Sequence, residues 1–86
     1  MSLLEFDIIS TKVKTINMQP TNEELLTLYG LFKQATLGNN TTDKPWIFEI
    51  EKTAKWNAWL KYINLTKEEA RRKYIDEAYN IINKYS

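Results

Sequence analysis

The stretch Thr21-Asn22-Glu23-Glu24-Leu25-Leu26-Thr27-Leu28-Tyr29-Gly30-Leu31-Phe32-Lys33-Gln34-Ala35-Thr36-Leu37-Gly38 decides the fold. Pro20 stops whatever precedes it. Thr21 and Glu24 then form a Thr-x-x-Glu capping box, in which each side chain satisfies a backbone N–H that a new helix leaves open. Behind the box, Leu25, Leu28, Tyr29 and Phe32 fall at i, i+3, i+4 and i+7, the period of one helix face. The pattern gives out at Gly38, a residue suited to ending a helix. A capped amphipathic helix is predicted, with its apolar stripe needing a partner.

Working outward, the same grammar recurs. Upstream, Phe6, Ile9, Val13 and Ile16 make a helical stripe, with Ser2 and Glu5 spaced as a capping box. Downstream, Asn39, Asn40, Thr41, Thr42 and Asp43 have short polar side chains that favour turns, so residues 38–45 are read as the one substantial loop. A third segment carries Trp56, Trp59, Leu60 and Ile63 at i, i+3, i+4 and i+7, which predicts two core tryptophans on one face. Thr66 and Glu69 repeat the capping box, with Leu65 and Ala70 placed as a hydrophobic staple. The last segment then shows Ala70, Tyr74, Ala78, Ile81, Ile82 and Tyr85 on one side. Four amphipathic helices and no strand pattern predict an all-α bundle, and 86 residues suit one domain with one core.

Composition excludes several classes of function. There is no histidine and no cysteine, which removes the commonest general base, the thiol nucleophile and the usual metal ligands. No catalytic residue and no metal site can be assembled. Glu23-Glu24 and Glu68-Glu69 sit in first helical turns, where the helix dipole accounts for them. The two glycines are isolated, so no phosphate-cradling glycine loop exists. A net charge of +1 gives no field to hold a nucleic-acid backbone. No apolar run approaches the length of a membrane span, and the N-terminus carries acids where a secretory signal would carry bases. Lack of cysteine fits a reducing compartment, so a cytoplasmic location is expected and the Asn-x-Thr triplets at Asn39, Asn40 and Asn64 are read as turn and cap chemistry.

One constellation can carry binding. Tyr29 and Lys33 are four residues apart on one helix face, and Lys52 and Lys55 form an i, i+3 pair. Lysine suits phosphate, and a tyrosine ring can cover a purine, so together they fit a nucleotide with phosphates. The plainer alternative has solvated lysines and core rings. Spacing alone leaves both open.

Several strings also resemble the acyl-CoA-binding protein family. Tyr29-Gly30-Leu31-Phe32-Lys33-Gln34-Ala35-Thr36-Leu37-Gly38 is similar to its central signature. Lys44-Pro45, Lys55-Trp56-Asn57-Ala58-Trp59, Thr66-Lys67-Glu68-Glu69-Ala70 and Tyr74-Ile75 follow in family order, and the likeness runs from Phe6-Asp7 to Tyr85. The resemblance implies a single acyl-CoA-binding domain over residues 1–86, folded as an up-down-down-up four-helix bundle. It implies a non-enzymatic carrier and pool-former for medium- to long-chain fatty-acyl-CoA, with that ligand and no cofactor.

Transferred by position, Tyr29, Lys33 and Lys55 match residues around the ribose 3′-phosphate, Tyr74 one near adenine and ribose, and Lys14 another head-group contact. Gly30, Leu31 and Phe32 belong to the same signature. Phe6, Ile9, Leu25 and Leu26 fall where relatives line the acyl chain. Five positions depart from the pattern. Phe32 stands where tyrosine is usual, which keeps ring stacking and loses a hydroxyl. Glu51 stands for a lysine, bringing a carboxylate toward a polyanion unless adjacent Lys52 offsets it. Trp46 replaces a glycine and is expected to pack on the bundle, and Lys52-Thr53 replaces Gly-Lys. A monomer is expected, with transient contacts to acyl-CoA-using enzymes or membranes but no stable membrane insertion. The rival reading is a helical protein-interaction module on the same fold, which would show no preference for acyl-CoA over free fatty acid.

Overall fold

The computed structural model describes residues 3–15 and 19–85, and these form four helices: α1 (Leu3–Thr15), α2 (Asn22–Leu37), α3 (Ile50–Leu60) and α4 (Lys67–Tyr85). No strand occurs among the described residues. The Ser2–Glu5 cap and Ile16 of the first stripe lie outside them. Both other predicted capping boxes form. The Thr21 hydroxyl accepts from the Glu24 N–H at 3.1 Å while the Thr21 N–H donates to Glu24 Oε1 at 2.8 Å. Thr66 and Glu69 repeat this at 3.0 and 2.9 Å. At Gly38 the backbone turns to φ 84°, a conformation that favours glycine, and its N–H closes on the Gln34 carbonyl at 3.1 Å.

Contacts between helices give the bundle its sense. Glu24 near the start of α2 meets Lys84 and Tyr85 at the end of α4, and Gln34 near the end of α2 reaches the Leu65 carbonyl just before α4, so these helices are antiparallel. Along α2 and α3 the partners rise together: Leu26 and Ala54 share a wall, Gly30 abuts Ala58, and the Gly38 carbonyl accepts from the Trp59 indole at 2.7 Å. These two helices are parallel, as the all-α up-down-down-up bundle requires. A Cβ at Gly30 would fall 2.1 Å from the Ala58 carbonyl oxygen, so only glycine permits this close crossing.

The core lies between α1, α2 and α4. Phe6 and Ile9 come from α1, Leu28, Leu31 and Ala35 from α2, and Ala70, Tyr74, Ile75, Ala78, Ile81 and Ile82 from α4. Leu65 packs against this cluster, as a staple residue should. The tryptophan expectation needs correction. Trp59 is buried, but Trp56 is only half-buried and Ile63 is 48% exposed. The physical reason is that, among the described helices, α3 packs on α2 alone, so only a narrow strip of it is covered by helix. Both indoles instead hold the long loop, Trp59 through Gly38 and Trp56 by donating to the Thr42 carbonyl and hydroxyl, each at 3.1 Å.

Polar residues tie the same loop down. Asn40, 6% exposed, donates to the Trp56 carbonyl at 3.1 Å and accepts from the Thr42 N–H at 3.0 Å. Asn39 Oδ1 accepts from Gln34 Nε2 and from the Asn64 N–H, both at 2.8 Å. Asn64 itself takes φ 76°, a left-handed geometry that asparagine tolerates better than most residues. These asparagines therefore do the turn chemistry read from the sequence.

Candidate ligand-binding groove

The stripe of α2 divides in two. Leu28, Leu31 and Ala35 enter the core, whereas Leu25 is 47% exposed and Leu26, Tyr29 and Phe32 are only half-buried. Helix α2 lies between α4 and the parallel α3, and beside its first two turns the α3 side holds an apolar groove of about 640 Å³. Leu25, Leu26, Tyr29, Ile50, Ala54 and Lys55 wall it, with Asn22 and Glu51 at its edge. That volume lies in the range of small-molecule sites, roughly 300–1,000 Å³. Because both helices run the same way, Asn22, Leu25 and Ile50 mark one end and Tyr29 with Lys55 the other.

A second, smaller cavity of about 250 Å³ begins where the groove ends. Tyr29 and Lys55 line both, and Lys33, Lys52, Trp56 and Trp59 complete its cationic and aromatic side, with Asp43 the carboxylate on its wall. Lys33 Nζ stands 5.8 Å from the Tyr29 ring centre and 5.4 Å from that of Trp59, while Lys55 Nζ is 5.7 Å from Tyr29. Stacking against rings holds an ammonium in place without neutralising it. The two lysines differ in one respect. Lys55 pairs with Glu51 at 3.4 Å, whereas among the described residues Lys33 meets rings and no carboxylate. Lys52 pairs with Glu49 at 3.2 Å, so it does not offset Glu51; Lys55 does, because i, i+4 places it on the same face.

Lys14, Phe32, Phe6 and Tyr74 form an adjoining cluster. The Phe6 and Phe32 rings stack at 5.6 Å, Tyr74 meets Phe6 edge-on at 5.2 Å, and Lys14 Nζ lies 5.7 Å from the Phe32 centre. Tyr74 is 4% exposed, and burial pushes its hydroxyl above the usual tyrosine range. Sequence-predicted residues therefore assemble as two neighbouring groups, Tyr29 with Lys33 and Lys55, and Lys14 with Phe32 and Tyr74.

The remaining predicted residues have other placements. Gly30 sits in the α2–α3 crossing and Leu31 in the core at 3% exposure. Phe6 and Ile9, 3% and 2% exposed, line neither cavity, because the α1 stripe that carries them is the one that packs on the bundle. Only Leu25 and Leu26 of the four expected tail contacts wall the groove. Ile50, Ala54 and Trp59 were missed as site residues. The first two are legible only once α2 and α3 are known to be parallel, and Trp59 was read as core. Trp46 also departs from expectation: it does not pack on the bundle but is 73% exposed.

Such an arrangement fits an amphiphile, an apolar tail in the groove and an anionic, ring-bearing head beyond the Tyr29–Lys55 seam. Among the described residues, no three His, Cys, Asp or Glu side chains group as metal ligands would.

Comparison with known proteins points the same way. Residues 4–78 match the family described as Acyl CoA binding protein. The chain is 46% identical over 82 residues to "Acyl-CoA-binding protein homolog 1" of Caenorhabditis elegans, covering 95% of each chain. Among solved structures it is similar to Oryza sativa Acyl-CoA-Binding Protein 2, with TM-score 0.90 and 40% identity over 94% of this chain and 90% of that one. It is also similar to the acyl-CoA-binding protein structure from Moniliophthora perniciosa, with TM-score 0.92 and 33% identity over 98% and 83% of the two chains.

Proposed function

The chain belongs to the acyl-CoA-binding protein family, and we propose that its groove and cationic cavity together hold one medium- to long-chain fatty-acyl-CoA, which it carries and pools without transforming. A single observation carries this reading. Tyr29 and Lys55 belong at once to an apolar groove and to a cationic, aromatic cavity, which is the seam a thioester-linked tail and nucleotide head require.

In this reading Lys33 and Lys55 take phosphate oxygens, and rings of the Tyr29 and Phe32–Tyr74 groups flank the nucleotide. Lys14 serves the same head from α1. Leu25 and Leu26, joined by Ile50 and Ala54, cover the tail. Phe6 acts behind that surface, by packing on Phe32 and Tyr74, with Ile9 in the same buried core. A charge-assisted hydrogen bond contributes on the order of 1.5–3 kcal/mol and each buried methylene roughly 0.8 kcal/mol, while association costs at least about 4 kcal/mol. Neither half of the ligand should bind tightly alone; the head selects and the tail strengthens.

With no histidine or cysteine, the chain offers no activated nucleophile for thioester cleavage. We therefore read it as a cytoplasmic carrier, not an enzyme. Calorimetric titration with palmitoyl-CoA, coenzyme A and palmitate, each below its micelle concentration, tests this. Tight one-to-one binding of the ester alone is expected. Equal binding of ester and free fatty acid would favour the protein-interaction reading, and loss of the ester during incubation would overturn the carrier reading.

A further inference from the structure

The turn between the long loop and α3 presents four large apolar side chains to solvent. Trp46 is 73% exposed, Ile47 92%, Phe48 75% and Ile50 78%. They are held outward. The Trp46 N–H donates to Glu49 Oε2 at 3.1 Å, the Glu49 N–H returns to the Trp46 carbonyl at 2.9 Å, and the Trp46 and Phe48 rings stack at 6.4 Å and 16°. Scattered exposed residues need no explanation, but a contiguous group does.

Three observations narrow the occupant. Ile50 is both part of this tip and a wall of the groove, at the end opposite the cationic seam, so the apolar surface continues from the tip into the ligand site. The flanking acids are already engaged, Glu49 with Lys52 at 3.2 Å and Glu51 with Lys55 at 3.4 Å, which lowers the electrostatic penalty of bringing the tip to a low-dielectric surface. The tip is also narrow. A stable protein interface takes roughly 20–30 residues a side, and the tip offers four. Seating apolar side chains among acyl chains needs only a shallow insertion, about 5–10 Å.

We propose that the Trp46–Ile50 turn docks on a lipid bilayer, setting the open end of the groove against the surface from which an acyl tail can pass without crossing water. Tryptophan and phenylalanine are residues that settle at that interface. The docking is apolar in origin, so it varies little with salt. Its link to tail transfer rests on the carrier reading; the docking itself does not.

The test uses the full chain without ligand and phosphatidylcholine vesicles, with and without phosphatidylserine. Wild type is expected to co-float with both kinds of vesicle, and brominated lipid should quench part of its tryptophan emission, a signal that Trp46→Phe removes while docking persists. The double variant Trp46→Ala/Phe48→Ala should lower the vesicle-bound fraction by more than about tenfold. Its affinity for submicellar palmitoyl-CoA should stay within about twofold of wild type, since exposed sites are altered. No vesicle binding by wild type, equal binding by the double variant, or a dimer in sedimentation that the double variant dissolves would overturn the proposal, the last by making a second copy the occupant. Collapse of palmitoyl-CoA affinity in the folded double variant would also overturn it, by placing the tip inside the ligand site. Wild type that docks on vesicles but binds no palmitoyl-CoA would sink the carrier reading and leave the docking standing.

Discussion

The two flanks of α2 are built from the same residue types to opposite ends. Toward α4 the surface is closed: Leu28, Leu31 and Ala35 meet Ile75, Ala78 and Ile81, and both ends are pinned, by Glu24 to Lys84 and Tyr85 and by Gln34 to Leu65. Toward α3 it is open: one tight crossing at Gly30 and Ala58, then a groove whose leucines stay partly wet. Apolar periodicity therefore marks what must be covered, and not by what. On the first flank protein covers it; on the second, in the proposed reading, a ligand does.

The largest test breaks the closed flank. Ile75→Ala removes a side chain that is 1% exposed, and should destabilise the bundle by about 2–5 kcal/mol in urea or thermal unfolding. Leu25→Ala, on a residue 47% exposed, should change stability by less than about 0.5 kcal/mol and weaken palmitoyl-CoA binding instead. Equal destabilisation by the two would erase the distinction between the flanks.

Next in size is the cationic seam. Lys33 is held by the Tyr29 and Trp59 rings, with no carboxylate partner among the described residues, so Lys33→Ala should lose a charge-assisted contact of about 1.5–3 kcal/mol, roughly ten- to over a hundredfold in affinity, with unfolding unchanged. Unchanged affinity in a folded variant would remove Lys33 from the site.

How far the sequence reaches follows the same division. The Thr21 and Thr66 caps and the α4 stripe depend on residues within a few positions of each other, and local spacing is enough to read them. The α2 stripe was read as one face, yet Leu28 and Leu25 go to different neighbours, a matter settled by where α3 lies. Trp59 and Trp56 look alike in a helical wheel, but among the described helices α3 packs on α2 alone and only the first is buried. Tyr29, Lys33 and Lys55 were legible from the family signature. Ile50 and Ala54 were not, because their place in the groove depends on a parallel pairing that no local pattern encodes. The exposed Trp46 was misread for the inverse reason: large aromatics usually bury themselves, and only the Glu49-pinned turn shows this one facing out.

A pH measurement sharpens the closed flank without touching the open one. Hydrogen bonds from the Tyr85 hydroxyl, foremost, and from the Thr21 N–H hold the Glu24 carboxyl down at about 2, against an ordinary 4.5. A depressed carboxyl stabilises the fold fully above its unfolded value and loses that contribution as pH falls through the folded one. Stability tied to Glu24 should therefore fade between about 4.5 and about 2. Melting curves of Glu24→Gln should lie below wild type at neutral pH and converge on it toward pH 2. A constant gap over that window would show that the carboxylate charge is not what joins α2 to α4.

The smallest effect probes the open flank's own defect. Glu51 sits 85% exposed at the groove edge, 3.4 Å from Lys55, and so shares with any bound phosphate a cation the site needs. Exposed i, i+4 pairs are worth little to the fold, about 0.3–0.5 kcal/mol, so Glu51→Gln should leave unfolding nearly unchanged. Removing the charge should free Lys55 and relieve repulsion, tightening palmitoyl-CoA binding by up to about 1 kcal/mol, roughly fivefold. The gain should shrink as salt rises, because both charges are wet. Weaker binding by Glu51→Gln would mean that the carboxylate positions Lys55 rather than competing for it, and the departure at this position would then belong to the site as a working part.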